Sequence, residues 1–192
     1  ILAYIDRDPH LLRPLNYPVN TPGNGHVLYG MKNGQKILVI NAMARIFMDA
    51  MEDPFKMVMD VVNDYKMGQK CDAVFLDFHG EATSEKMAMA HYLDGKISAV
   101  VGTHTHIPTA DCQIFDAGTA FQADAGMTGD YNSVIGVRKD IPIHRFTRKT
   151  PTERMVPADG QATVWGTLIE TSDQNGLAKN IAPVRIGGRL QQ

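Results

Sequence analysis

Between Ile37 and Val101 the chain alternates short apolar runs with helical periodicity, and this alternation restricts the fold more than any other feature. The runs are Ile37 to Ile40, Cys71 to Asp77 and Ile97 to Val101. After the first, Asp53-Pro54 reads as an N-cap followed by the first helical residue. Phe55, Val58, Met59, Val62 and Tyr65 then recur at helical spacing until Gly68 ends the pattern. A second helix is expected over roughly Ser84 to Leu93. Strand, helix, strand, helix, strand implies crossover connections and a mostly parallel sheet, an α/β fold. Ile37 to Ile40 is nearly all apolar, which predicts a strand covered on both faces.

The flanking regions read differently. Residues 11–25 are rich in Pro, Asn and Gly and form an extended, turning loop. HVLYGMK and QKILVINA flank Asn33-Gly34, a pair that readily takes positive φ at both turn positions of a hairpin. Gln113 to Asp124 reads as a second hairpin around Ala117-Gly118, and Asp140 to Phe146 as a short helix. From Glu153 to Ile186, alternating segments separated by Asp159-Gly160 and Asp173 to Gly176 predict antiparallel strands. Their apolar residues, among them Val156, Val164, Trp165, Leu168 and Ile169, are expected to complete a second sheet and to offer a surface for a homo-oligomer.

Composition narrows the function. The chain has 192 residues with 19 basic against 21 acidic side chains, a balance that argues against the basic face nucleic-acid binding needs; an RNA partner is not indicated by charge. Mean hydropathy is −0.19, and no apolar run approaches the ~18 residues of a membrane helix. Cys71 and Cys112 read as thiols in a reducing compartment rather than a disulfide, and no leader-like start is visible, so a cytoplasmic location is expected. The 11 methionines sit mostly on the helices and read as core filling.

The chemistry concentrates at strand ends, where α/β folds build their sites. His104-Thr105-His106 follows the third run. On an extended segment, residues two apart point the same way, so both imidazoles can address one metal or two adjacent metals. The plainer reading is two hydrogen-bonded loop histidines. Against it stand Gly102, read as allowing a sharp turn before the pair, and His79, just past the neighbouring strand in Asp77-Phe78-His79-Gly80-Glu81. Three histidines at two adjacent strand ends make a candidate metal face with open positions left for chemistry. Asp77, Glu81 and Asp111 are candidates to accept the second ring N–H of these histidines; for Glu81, capping of the next helix is an equal alternative. His91, within the second helix, reads as a helix-surface or core residue, and His10, His26 and His144 have no partners by spacing. Gly126-Met127-Thr128-Gly129 reads as a turn, with phosphate-facing N–H groups as the alternative. Phosphate-loop, dinucleotide and G-x-S-x-G motifs are absent, and Cys71 heads a buried strand with no adjacent base.

Three segments, Asp77 to Lys86, Val101 to Asp111 and Asp124 to Gly129, resemble the YmdB-like bacterial metallophosphoesterases, and the resemblance runs over essentially the whole chain. It implies a calcineurin-like phosphoesterase sandwich, two packed mixed β-sheets flanked by helices. It implies a dinuclear centre of divalent metals, Mn or Fe first and Zn or Mg next, with His79 and His104 on one ion and His106 on the other. It also implies hydrolysis of nucleotide phosphoesters, 2′,3′-cyclic nucleotides above all, by a hydroxide bridging two ions about 3.5–4 Å apart. The family's other ligands belong to an earlier portion: an Asp, a Glu-Asn pair and an Asn-His pair at successive strand ends. The chain opens at Ile1 without Met and matches the later part of that pattern. Residues 1–192 are thus expected to be the larger, C-terminal part of one metallophosphoesterase domain, inactive alone. A regulatory protein that keeps the fold and acts through partners is the alternative. A metallo-β-lactamase-like hydrolase is disfavoured, because Ile107-Pro108 follows His106 where an H-x-H-x-D-H run would continue.

Overall fold

The computed structural model describes residues 1–190. After a short N-terminal turn of helix, α1 (Leu2–Ile5), the order is β1 (His26–Gly30), β2 (Lys36–Met43), α2 (Pro54–Asp64), β3 (Ala73–His79), α3 (Thr83–Tyr92) and β4 (Ala99–Thr103). There follow β5 (Gln113–Ile114), β6 (Ala120–Gln122), α4 (Asp140–Arg148), β7 (Val164–Thr171) and β8 (Ala178–Ile186). Six strands form one mixed sheet in the order β1-β2-β3-β4-β6-β5, and β7-β8 form a second, two-stranded sheet. β2, β3, β4 and β6 run parallel, while β1 and β5 are antiparallel at the edges. The expected α/β reading with two sheets holds; among the described residues the second sheet is antiparallel rather than mixed.

Register explains the core. Ile40, Leu76, Val100 and Phe121 lie side by side across four strands, and all are fully buried. They face α2 through Val58 and Val62 and α3 through Met89, Ala90 and Leu93. Successive strand residues point to opposite faces, so the other face carries Asn41, Asp77 and Val101, then His79 and Thr103. That face is only partly covered: Val39, Asn41, Phe75 and Asp77 are half-buried. The expectation that the first apolar run is covered on both faces is therefore corrected. The helices cover one side fully, and β7 approaches the other, where Thr167 donates to the Gln122 side-chain carbonyl.

Other boundaries shift for identifiable reasons. β3 and β4 each begin and end two residues later than the apolar runs, so His79 and Thr103 are the last residues of their strands and pair with each other. The first hairpin closes over Lys32-Asn33-Gly34: Met31 N–H donates to Gln35 C=O and Gly34 N–H to Met31 C=O, and only Gly34 has positive φ, at 87°. This is a three-residue loop with glycine in the left-handed position rather than a two-residue turn. The second hairpin forms as β5–β6. Asp159-Gly160 does not join two strands; between Glu153 and Thr163 only isolated bridges at Pro157 and Thr163 are present. Both cysteines are free.

Candidate metal centre

The site grows out of the paired ends of β3 and β4. Asn41 and Asp77 are register partners, as are His79 and Thr103, and all four occupy the face away from the helices. Their side chains form a continuous relay. Asn41 Nδ2 donates to Asp77 Oδ2 at 2.8 Å, and Thr103 Oγ1 donates to Asp77 Oδ1 at 2.8 Å. His79 Nδ1 lies 3.0 Å from Thr103 Oγ1, and His79 Nε2 lies 3.1 Å from His104 Nδ1. The two imidazoles stand edge to face, 88° apart. Beyond them, His104 Nε2 lies 3.3 Å from a Glu81 carboxylate oxygen.

The relay determines the proton positions. An ionised carboxylate only accepts, so the Thr103 hydroxyl spends its single proton on Asp77. Thr103 Oγ1 must then accept from His79 Nδ1–H, which leaves a lone pair on His79 Nε2. Glu81 likewise only accepts, so His104 Nε2 is best satisfied carrying a proton, which leaves a lone pair on His104 Nδ1. Two lone pairs now face each other at 3.1 Å, and a positive charge between them satisfies all four ring nitrogens at once. Two nitrogens each about 2.1 Å from one cation lie roughly 3.0–3.4 Å apart at ordinary coordination angles. The donor set therefore fits a divalent metal. Burial, and next the neighbouring His104, push the His79 imidazole below its usual range, toward the neutral form that ligates metals.

His106 stands apart from this pair. Its Nδ1 lies 2.6 Å from the Ile135 carbonyl oxygen, which only accepts, so its Nε2 also keeps a lone pair. It opens on a groove of ≈ 410 Å³ beside Met127, Ile135 and Val156. Among the described residues, no three His, Cys, Asp or Glu side chains converge into a closed cage. The structure thus joins His79 to His104 and leaves His106 apart, against the Ile135 carbonyl. Both H-x-H histidines have positive φ, 130° at His104 and 67° at His106. Such backbone costs on the order of 1–3 kcal/mol for each residue outside glycine and clusters at functional sites.

A family profile described as YmdB-like protein matches residues 1–184. The chain belongs to that family. It is 41% identical over 186 residues, 97% of its length, to the 2′,3′-cyclic-nucleotide 2′-phosphodiesterase of Bacillus subtilis, and spans 69% of that relative. A crystal structure of a hypothetical protein from Thermus thermophilus superposes with a TM-score of 0.87 at 40% identity, over 96% of this chain and 70% of that one. A structure described as a novel phosphatase from Mycoplasma pneumoniae gives 0.85 at 29% identity, over 96% of this chain and 66% of that one.

Within this YmdB-like chain, the three expected carboxylate helpers separate. Glu81 touches His104 directly, and Asp77 reaches His79 only through Thr103. Asp111 touches neither ring; both its oxygens accept from Ala123 N–H at 3.2 Å. Gly102 does not serve as a bend. A Cβ there would stand 1.8 Å from the Ala123 carbonyl oxygen and 2.8 Å from Lys86 Cδ, so glycine is required by close approach. His91 stacks on Phe115, and His10 on Tyr29, as structural residues. Burial raises the thiol pKa at Cys71 and Cys112, which makes either a poor nucleophile. Among residues that sequence reading passed over, Thr103 is the link between Asp77 and His79, and Lys86 and Asp124 are a buried ion pair beneath the H-x-H loop. A polar residue at the last position of a strand, beside a histidine of the neighbouring strand, is the signal that could have found Thr103.

Proposed function

We propose that residues 1–192 belong to one metallophosphoesterase domain of a metal-dependent phosphoric diester hydrolase that acts on nucleotide phosphoesters, 2′,3′-cyclic nucleotides first. The observation that carries the proposal is the 3.1 Å approach of His79 Nε2 to His104 Nδ1, with His79 Nδ1 against the Thr103 hydroxyl and His104 Nε2 facing the Glu81 carboxylate at 3.3 Å. The 41% identity to the B. subtilis enzyme supports the substrate class. His79 and His104 would hold one divalent cation, with Mn or Fe preferred, and His106 would serve a second. When bound, such ions polarise phosphoryl oxygens and lower the pKa of water. Asp77 and Thr103 orient His79, and Glu81 orients His104, as outer partners of metal-bound imidazoles do.

Among the described residues no helix is long and apolar enough to cross a membrane; the cytoplasmic location we propose rests on the two free thiols. The exposed Val164, Leu168 and Ile186 of β7 and β8 support a homo-oligomeric face, which light scattering of the intact protein tests; a clean monomer refutes it. The function is tested by titrating the intact protein with Mn²⁺ and following hydrolysis of bis-p-nitrophenyl phosphate and of a 2′,3′-cyclic nucleotide. Chelator should stop both reactions, and His104→Ala should lose bound metal and activity together. Full turnover by His104→Ala would refute the assignment.

A further inference from the structure

We infer that Asp124, anchored by Lys86, is a positioning residue that clamps the backbone of the H-x-H loop and so holds His104 and His106 in their ligating conformations. The metal half of this statement rests on the function proposed above; the loop half does not. Lys86 lies in the first turns of α3, where a lysine ordinarily reaches for water. Here its side chain is 1% exposed, as is that of Asp124. Its stem runs past Gly102, and the missing side chain of that glycine leaves the passage open. Nζ donates to the Ala123 carbonyl at 2.9 Å and lies 3.3 Å from Asp124 Oδ2.

Asp124 spends its acceptors on the loop. Oδ2 accepts from Thr105 N–H at 2.8 Å, and Oδ1 accepts from Gly126 N–H at 2.9 Å. Its own backbone is tied at both ends to Thr109, whose N–H donates to Asp124 C=O at 3.0 Å and whose hydroxyl accepts from Asp124 N–H at 2.9 Å. Thr105 is the residue between the two histidines, and both of its neighbours have positive φ. An anchored amide between two strained residues is what keeps such a conformation from relaxing. A buried charge pair is a poor way to fill a core, since apolar residues of similar size do as well or better. What this pair adds is a carboxylate held by Lys86 whose two oxygens each accept from a backbone N–H, Thr105 on the metal-facing loop and Gly126 beside it.

The test compares the intact wild-type protein with Asp124→Asn, with Lys86→Gln and with Leu93→Ala, a core truncation at the C-cap of α3, remote from the loop. Asn keeps the shape but replaces one acceptor oxygen with a donor. Three readouts are taken: amide hydrogen exchange over residues 103–107, Mn²⁺ affinity by calorimetry, and kcat and KM for bis-p-nitrophenyl phosphate. Asp124→Asn should speed exchange of the loop at least tenfold, weaken Mn²⁺ at least tenfold and lower kcat with KM within about twofold. Lys86→Gln should show the same pattern at about threefold. Leu93→Ala should lose thermal stability while exchange and Mn²⁺ affinity stay within twofold. Loop exchange in Asp124→Asn no faster than in Leu93→Ala overturns the clamp. If Asp124→Asn does not fold, unchanged loop exchange in Lys86→Gln overturns it instead. Wild-type protein that takes up no Mn²⁺ refutes the metal reading, and the exchange comparison then decides the clamp by itself.

Discussion

Replacing Thr103 by Val isolates the relay behind His79. Valine matches threonine in shape and is equally at home in a strand, so β4 should be undisturbed. The substitution deletes one hydroxyl and with it two contacts, the 2.8 Å donation to Asp77 and the 3.0 Å contact with His79 Nδ1. A hydrogen bond to a charged group contributes about 1.5–3 kcal/mol, and the half-buried position of Asp77, which keeps its bond from Asn41, places this case toward the lower end. Stability should therefore fall by about 1–2 kcal/mol, or roughly 2–8 °C in melting temperature for a domain of this size. The larger consequence is for metal. Without an acceptor at Nδ1, His79 is free to carry its proton on Nε2, the atom that faces His104. Loss of such an outer partner weakens metal binding by about 10–100-fold. Calorimetric titration with Mn²⁺ measures this directly, and Thr103→Ser, which restores the hydroxyl without the methyl, should return to within a few-fold of wild type. A Thr103→Val protein that binds Mn²⁺ as tightly as wild type would refute the relay. A Ser variant as weak as Val would show that the methyl group matters rather than the hydroxyl.

Gly102→Ala should cost at least about 2–3 kcal/mol in chemical denaturation, because its Cβ would meet the Ala123 carbonyl at 1.8 Å and one side must move; a change under 0.5 kcal/mol would contradict the close-approach argument. Among the described residues His26 Nδ1 is buried with no partner, and burial holds its imidazole below the usual value near 6.5, against an opposing pull from Asp64. The folded protein thus resists a proton that the unfolded chain accepts, so stability is full above about pH 6.5 and declines as pH falls below it. His26→Leu should flatten part of the melting-temperature slope between pH 7 and 5.5, and an unchanged slope would dismiss His26 as its source. Added Mn²⁺ at a hundred times its dissociation constant should stabilise the protein by about 2.7 kcal/mol, reversed by chelator, if the ion binds the folded state alone; a melting temperature indifferent to both would argue against the site.

The sequence reveals the parallel centre because its signals there are local. Asp53 does cap α2, accepting from Phe55 N–H at 3.0 Å, and the apolar positions of α2 do meet the sheet. Apolar runs mark where a strand enters the core, not where its pairing stops, which is why β3 and β4 run on through the polar residues His79 and Thr103. Asn33 suggested a tighter turn than forms, since loop length is settled by the register of β1 on β2 rather than by the turn pair alone. The histidines are legible as chemistry, yet their division into a touching pair and a separate His106 is not. That division depends on the positive φ values of the loop and on the Ile135 carbonyl, which lies 29 residues away. Lys86 is the least legible of all. A lysine among Ser, Glu and Met on a short helix reads as solvent-facing, and only the gap at Gly102 on another element makes room for it inside.

The first turns of α3 show why that gap matters beyond one contact. Two successive residues there, Glu85 and Lys86, are both buried. Glu85 accepts from Arg45 N–H at 3.0 and 3.1 Å and from Ile46 N–H at 2.8 Å, where the chain leaves β2. Lys86 engages Ala123 and Asp124, where the chain leaves β6, and through Asp124 the loop that leaves β4. One end of one helix thus fixes the exits of three parallel strands with opposite charges on adjacent residues. These contacts replace bonds that backbone groups at the strand ends no longer make within the sheet. The exit of β4 carries His104 and His106, and the Asp124 carboxylate that Lys86 contacts accepts from the Thr105 N–H between them. A change in α3 that moves this end should therefore disturb the His79–His104 spacing even though neither Glu85 nor Lys86 touches either ring.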